Sequence, residues 1–374
     1  MPMPQWTASA EPATHDLRLI GRIDGCTHPE SAELLPDGEH FLFGNCAMTI
    51  GVAPYRGGGG PVYLDGQAYV SIGRIDPQGN VSLVDEKMVT GLTGTLGCDV
   101  LTVGTGKFAA GYVFQARGGC PLMASEDAET LIEDPRLLRS QVLIFDVEGR
   151  RLAGAVPLWE GTEFARQFNA INQPNGLAIN ARGDLFFGDI PHGNSVSVLP
   201  PPVPSAVYRI PHEAIDGVVN GDPDAVAKVR RVFTPGFVNG LTVSPVDGEC
   251  WMVSCASHDD AGGAVYRLTD AEFESGALPE PAVTGLGVLD GVTFTKRGTL
   301  LVTNPRTGEI HMFTADGAHK LIRLDGAKPW RSPADINVCY PKALCGEPAL
   351  LVPDVAVTSG PGESSVSLLD LTGL

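Results

Sequence analysis

The sequence predicts an all-β fold, and three observations carry that prediction. Short apolar runs alternate with polar residues at a period of two, as in "NGLAINARGDLFFGDI". Glycine (46) and proline (30) are spread along the 374 residues rather than concentrated, which suits many short strands joined by many turns. The same hairpin pattern also returns six times, starting at Glu30, Asp99, Asn175, Asn239, Asp290 and Ala334.

Each repeat opens with a strand whose apolar residues fall two and four places after the start. These are Ala32 and Leu34, Leu101 and Val103, Leu177 and Ile179, Leu241 and Val243, Val292 and Phe294, and Ile336 and Val338. A slip of one residue would turn any of these sets to the wrong face. A turn and a second strand follow, then another strand pair such as "SIGRIDPQGNVSLV" or "EIHMFTADGAHKLI". Six units of four antiparallel strands predict a six-bladed β-propeller. The last unit ends after three strands, at "SSVSLLDLTGL", while a spare strand, "HDLRLIGRI", precedes the first unit. That N-terminal strand is expected to complete the last blade and remove the open sheet edge. The domain reading is a short N-terminal extension over residues 1–14 and a single propeller over 15–374.

Composition narrows the partners. A net charge of −18 argues against nucleic acid and anionic membrane. No run of apolar residues is long enough to span a bilayer, and the start of the chain lacks the pattern of a signal peptide. A cytoplasmic protein with reduced thiols is therefore expected. The pair Cys339 and Cys345 in "CYPKALC" could bridge in an oxidising compartment, but buried thiols are the expectation. HExxH, CxxC and nucleophile-elbow patterns are missing, and "GGGG" at 57–60 lacks the lysine and helix start of a phosphate loop.

In a propeller the inner strands surround a central channel, so their first residues form a ring at one mouth. Here the predicted ring is Glu30, Asp99, Asn175, Asn239, Asp290 and Ala334, five oxygen donors of which three are carboxylates. Converging carboxylates repel unless a cation neutralises them. Carboxylate and carboxamide oxygens are hard ligands, which suits Ca²⁺ or Mg²⁺. Asn-Gly and Asp-Gly are also ordinary turn formers. Five donors in phase with the inner-strand register outweigh that reading.

With these segments in hand, the chain resembles the regucalcin/gluconolactonase family of six-bladed propellers, related to diisopropyl-fluorophosphatase-like and paraoxonase-like hydrolases. The resemblance rests on "NQPNGLAINARGDLFFGDIPHG", "PESAELLPDGEHFLFGN", "VNGLTVSP" and "LDGVTFTKRGTLLVTNPRTGEI". It implies one divalent ion, Ca²⁺ first with Mg²⁺, Mn²⁺ and Zn²⁺ as alternatives, held by Glu30, Asn175, Asn239 and Asp290. It also implies hydrolysis of a lactone or related ester. Asp290 would then act as general base, or attack covalently in the related organophosphorus chemistry. Asp99 departs from the family pattern, because it adds a carboxylate where many relatives carry a small hydroxyl residue.

The long loops between second and third strands should lie on the metal face and shape specificity. They would bring Arg56, Arg117, His192 and His258 toward a small-molecule substrate, with Asp99 and Asn172 as further substrate contacts. His28, near Glu30, is expected to be structural. Two other classes fit the same fold: a non-hydrolytic enzyme of the strictosidine-synthase kind, and a calcium- or ligand-binding propeller without turnover. Oligomeric state is not specified by the sequence.

Overall fold

The computed structural model describes residues 6–55, 58–63, 66–118, 123–124, 131–132, 139–171, 173–190, 205–234, 236–255, 263–324, 330–356 and 362–374. Six sheets of four or five strands succeed one another along the chain, and two two-stranded ribbons, Met48–Tyr55 with Gly58–Tyr63 and Met123–Ala124 with Leu131–Ile132, lie within the first two blades. Blade one is Pro29–Leu34, His40–Asn45, Ala68–Ile75 and Val81–Leu92, and blade two is Thr95–Val100, Val113–Arg117, Gln141–Asp146 and Arg151–Pro157. Blade three is Gln173–Ile179, Leu185–Ile190, Ser205–Ile210 and Arg230–Thr234. Blade four is Phe237–Val243, Cys250–Cys255, Gly263–Leu268 and Val283–Thr284. Blade five runs through Val292–Phe294, Leu300–Asn304, Glu309–Phe313 and His319–Leu324. Blade six takes Asn337–Cys339, Ala349–Asp354 and Ser364–Asp370 from the end of the chain and Leu19–Cys26 from its beginning. Each inner strand touches the next, and the sixth touches the first, so the ring is closed.

The N-terminal strand closes the last blade as expected, but over a different span. The predicted single strand at 15–23 is two strands divided at Arg18. Ala13–Leu17 lies parallel to His319–Leu324 as a fifth strand of blade five. Leu19–Cys26 pairs antiparallel with Ser364–Asp370 and completes blade six. Both halves carry alternating patterns, so the division is invisible in the sequence. It arises because one segment crosses from the rim of one sheet to the rim of the next. Ahead of it, Trp6 is buried against Trp251, Phe294 and Phe313, with its ring 5.8 Å from that of Trp251, and its indole N–H donates to the Thr314 carbonyl at 3.0 Å.

What sets the spacing of the blades is the second residue of each inner sequence. Its backbone faces the carbonyl of the preceding position in the next blade. A side chain at Gly97 would meet the Asn175 oxygen at 2.6 Å, and one at Gly291 would meet the Ala334 oxygen at 2.5 Å. Gly176 and Gly240 face the carbonyls of Asn239 and Asp290 more closely still, and the Gly240 N–H donates to Asp290 O at 2.6 Å. Blade one uses Ser31, whose hydroxyl donates to Leu96 O at 2.6 Å. Blade six uses Asp335, whose N–H donates to Glu30 O at 2.9 Å. Gly176, Gly240 and Gly291 do not adopt positive φ. Their job after Asn or Asp is therefore close approach between blades, and the left-handed turn is not what requires them.

Packing between sheets is apolar. Leu96, Leu177 and Ala334 belong to one large cluster with Phe114, Phe164 and Phe187, and Val292 and Phe294 belong to the cluster that holds Trp6 and Trp251. Among the described residues no helix is long and apolar enough to cross a membrane. Cys339 is buried and Cys345 exposed, and neither is in a disulfide.

A methyl group at position 176 must displace neighbouring backbone, because its nearest atoms are the Asn239 oxygen, Leu241 N and Gly240 C. Gly176→Ala is expected to lower the unfolding free energy by about 3 kcal/mol, the upper part of the range for overpacking. Urea denaturation checks this, and a midpoint equal to that of the unmodified protein would contradict the close approach.

Candidate metal centre

The interblade contacts set the register of the mouth. The ring is Glu30, Leu96, Asn175, Asn239, Asp290 and Ala334, because these are the residues whose carbonyls meet the second position of the preceding blade. Four of the expected donors are thus equivalent by geometry: Glu30, Asn175, Asn239 and Asp290. Glu30, Asn175 and Asp290 are buried, and Asn239 is partly buried.

Asp99 is not in the ring. It lies three residues beyond Leu96 in the strand Thr95–Val100. The sequence pattern aligns blade two on Leu101 and Val103, but Val103 is 41% exposed and lies past the strand end. Gly97 is the signal that finds the true register, since glycine holds the same place in blades three, four and five. Asp99 instead bridges two blades. Its Oδ2 accepts from Ile179 N and its Oδ1 from Val100 N, each at 2.6 Å. It shares the channel interior with Glu33 and Asp335, and Glu33 accepts a hydrogen bond from the Asn337 carboxamide. Burial pushes Asp99 up to about 7, and burial together with Asp99 and Asp335 pushes Glu33 well above the carboxylate range.

The two ring asparagines form a chain. The Asn175 amide donates to the Asn239 carboxamide oxygen, and the Asn239 amide donates to Leu289 O at 3.1 Å. In the same ring, burial pushes Glu30 up to about 7, and burial followed by the charges of Glu30 and Asp335 pushes Asp290 well above its usual range. Oδ1 of Asp290 is buried with no hydrogen-bond partner among the described residues. Buried polar oxygens without partners are rare and ask for a ligand. Among the described residues, no three His, Cys, Asp or Glu side chains assemble as a metal site. The donor set here is two carboxylates and two carboxamides, a hard oxygen set that fits Ca²⁺ or Mg²⁺ better than a thiolate- or imidazole-seeking ion.

The remaining candidates divide. Arg117 ends the second strand of blade two opposite Thr95, half-buried, and its Nη1 donates to the Arg139 carbonyl at 2.6 Å. Its guanidinium is thus partly engaged by backbone. His28 is buried at φ 55°, and its carbonyl accepts from Cys46 N at 3.0 Å, a bend that delivers the chain to Glu30. Arg56, Asn172, His192 and His258 lie outside the described residues, as does Gly57. Sequence reasoning overlooks Asp189. It pairs with Pro174, next to Asn175, and burial pushes its carboxyl up to about 8. Its Oδ1 has no partner among the described residues.

The metal-free site has a definite pH signature. A free glutamate titrates near ~4.3, so a folded-state value of about 7 at Glu30 means the folded protein keeps a proton that the unfolded chain has lost. This contribution to stability is full below the unfolded value and is lost as pH rises through the folded value. His15, His311 and His319, all lowered, act in the opposite direction up to their unfolded values. In chelator, the unfolding free energy should therefore fall more steeply between about pH 5 and 8 in the unmodified protein than in Glu30→Gln. Parallel profiles from denaturant titrations would show that Glu30 is not a strained, protonated acid.

No family model matches the chain, and no curated protein does. Solved structures do. A gluconolactonase from Xanthomonas campestris matches with a TM-score of 0.52 at 14% identity, covering 99% of this chain and 98% of its own. A protein assigned as a gluconolactonase matches at 0.51 and 15%, with 96% and 94% covered. One from Thermus thermophilus, assigned as a glucose dehydrogenase, matches at 0.52 and 17%, with 93% and 98% covered. The chain shares with all three one fold, the six-bladed β-propeller.

Proposed function

We propose that this propeller is a divalent-cation-dependent hydrolase of a lactone or related ester, similar to the regucalcin/gluconolactonase family. The observation that carries the reading is the convergence of Glu30, Asn175, Asn239 and Asp290, from four blades, at one mouth, with Asp290 Oδ1 unpartnered among the described residues. The gluconolactonase and the protein assigned as one among the matching structures favour a lactone as substrate class, and the four donors rather than the shared fold carry the argument for chemistry.

A bound Ca²⁺ would polarise the substrate carbonyl and stabilise the oxyanion that develops on it. The protein's part follows from its own groups. The amides of Asn175 and Asn239 are tied into one chain ending on Leu289 O, which orients both carboxamides, and Asn239 Oδ1 keeps a second lone pair for an ion. Asp290 can hold the ion with one carboxylate oxygen and accept a proton from water with the other. Its main chain is fixed for that role: its N–H donates to Thr303 O at 3.1 Å, and the Thr303 hydroxyl donates to Ala334 O at 2.9 Å. Leu96 and Ala334 place apolar surface in the two remaining sectors, which limits competing water. Loops beyond the second strands would select the substrate.

Asp290→Asn keeps an oxygen ligand but cannot accept a proton. It is expected to stay folded and bind Ca²⁺ while kcat falls by about 100-fold or more, the scale of a lost general base. Turnover of a panel of lactones, aryl esters and phosphotriesters, with and without chelator, checks both halves. Undiminished turnover in the variant would remove Asp290 as base, and activity indifferent to chelator would remove the ion from catalysis.

Because one ion would join four blades, saturation at about 100 times Kd should add roughly 2.7 kcal/mol to stability. Chelation should lower Tm, and Ca²⁺ should restore it better than Zn²⁺. A melting curve unaltered by chelator, with no ion found by elemental analysis, would leave these four residues as interblade packing alone.

A further inference from the structure

The inner strands start at the mouth, so the turns after the first and third strands of each blade lie on the opposite face. There, five of the six junctions between blades are covered by a segment outside the sheets. Ile215 and Val218 of the helix Ile215–Val219 pack with residues of blades two and three. Phe273 of the helix Asp270–Ser275 packs among residues of blades three and four, its ring 5.5 Å from that of Phe186. Trp6 fills the junction of blades four and five. Leu371 and Leu374 cover blades five and six, and Ala343 and Leu344 cover blades six and one. The junction of blades one and two differs. Its apolar cluster consists of strand residues and of Leu35 and Val147, each directly after a strand, and no such segment joins it among the described residues.

At that junction lies a cleft of about 660 Å³. Small-ligand pockets span about 300–1,000 Å³. Leu35, Ile72, Met88 and Val147 give it an apolar lining, Tyr112 lines the blade-two side, and Val84 at its edge is 55% exposed. The charges around it are mostly of one sign: the carboxylates of Asp37, Asp85, Asp146 and Glu148 stand against the guanidinium of Arg150. Three of these carboxylates already have a partner. His40 Nδ1 lies 2.7 Å from Asp37 Oδ2, Arg150 of blade two donates to Asp85 of blade one, and Arg151 lies 3.0 Å from Asp146. An ionised carboxylate offers about four lone-pair sites, so each can take a further donor. Glu148 is exposed at the rim. Trp6 shows what such a junction accepts, an aromatic body whose N–H donates to a carbonyl in the turn after a third strand, that of Thr314. The corresponding turn of blade two, 146–150, presents Asp146 and Glu148 to the cleft.

We propose that the cleft between blades one and two binds a small aromatic amine, its ring on the apolar lining and its ammonium group at the acidic rim. Uncovered apolar surface on a rigid scaffold marks a contact site, and the charge of the rim selects a cation and repels an anion of the same shape. The site lies on the face opposite the mouth and does not depend on the ion or the hydrolysis proposed there.

The test uses the full chain in excess Ca²⁺, which screens the acidic mouth, with tryptamine as probe and indole-3-acetate as the anion built on the same ring. Binding is read by calorimetry and by ligand-observed saturation-transfer NMR. Tryptamine is expected to bind once per chain with Kd at or below about 1 mM. Indole-3-acetate should bind at least about tenfold more weakly. Met88→Trp and Val84→Trp, two variants in case one folds poorly, fill the cleft from within the chain and should abolish binding. Glu148→Lys should weaken tryptamine and strengthen indole-3-acetate. Absence of saturable binding, equal affinity for the two probes, or tryptamine binding that survives in both cleft-filling variants would overturn the proposal. So would a dimer of the unmodified chain that the same two variants dissociate, which would give the cleft to a second copy.

Discussion

Each blade of this ring leans on a backbone carbonyl of the next, and the remainder of the structure depends on that contact. In four of the six contacts the carbonyl belongs to a residue whose side chain is proposed to meet the ion, and the partner across the gap is the residue after its counterpart. At Asn175, Asn239, Asp290 and Ala334 the partner is glycine, because no side chain fits against the oxygen. At Leu96 it is a serine hydroxyl, and at Glu30 a backbone amide. Six contacts of one kind, repeated around an axis, bring side chains from residues hundreds of positions apart to a common depth. The mouth is therefore positioned by main-chain packing, the stiffest material available to the protein.

This arrangement explains why burial dominates the electrostatics of the axis. Drawing the inner strands together excludes water from Glu30, Asp290, Glu33, Asp99 and Asp335, and each is pushed toward its neutral form. At the rim the opposite holds. Asp184 is buried, which alone would raise it, yet bonds from His212 N and Asn180 and the guanidinium groups of Arg209 and Arg182 hold it low. The same residue type thus serves as a structural anion outside and as a proton-holding, cation-seeking group within.

How much of this was legible in the sequence depends on which residues carried two signals at once. Asn175, Asn239 and Asp290 each precede a glycine and an apolar pair, so both register and chemistry could be read. Glu30 lacked the glycine but kept the apolar spacing. Blade two misled because Asp99 supplied an attractive carboxylate and Leu101 a plausible core residue, while the informative residue was Gly97 beside an unremarkable leucine. The split at Arg18 could not be read at all, since both halves alternate alike and only the geometry of adjacent rims separates them. Periodicity says nothing about loop position, so His192 and His258 could be nominated but not located.

The segment that closes the ring has a consequence for how the protein is made. Ala13–Leu17 belongs to blade five and Leu19–Cys26 to blade six, so residues made early are partners of residues made some three hundred positions later. Blades one to four can condense from neighbouring chain as it emerges, but the N-terminal pair must wait for the whole polypeptide. Such distant pairings slow folding and leave edges exposed in the interval. The completed molecule gains from the same delay. Once the two ends interlock, neither blade five nor blade six can peel away without first breaking a strand held by the opposite end of the chain.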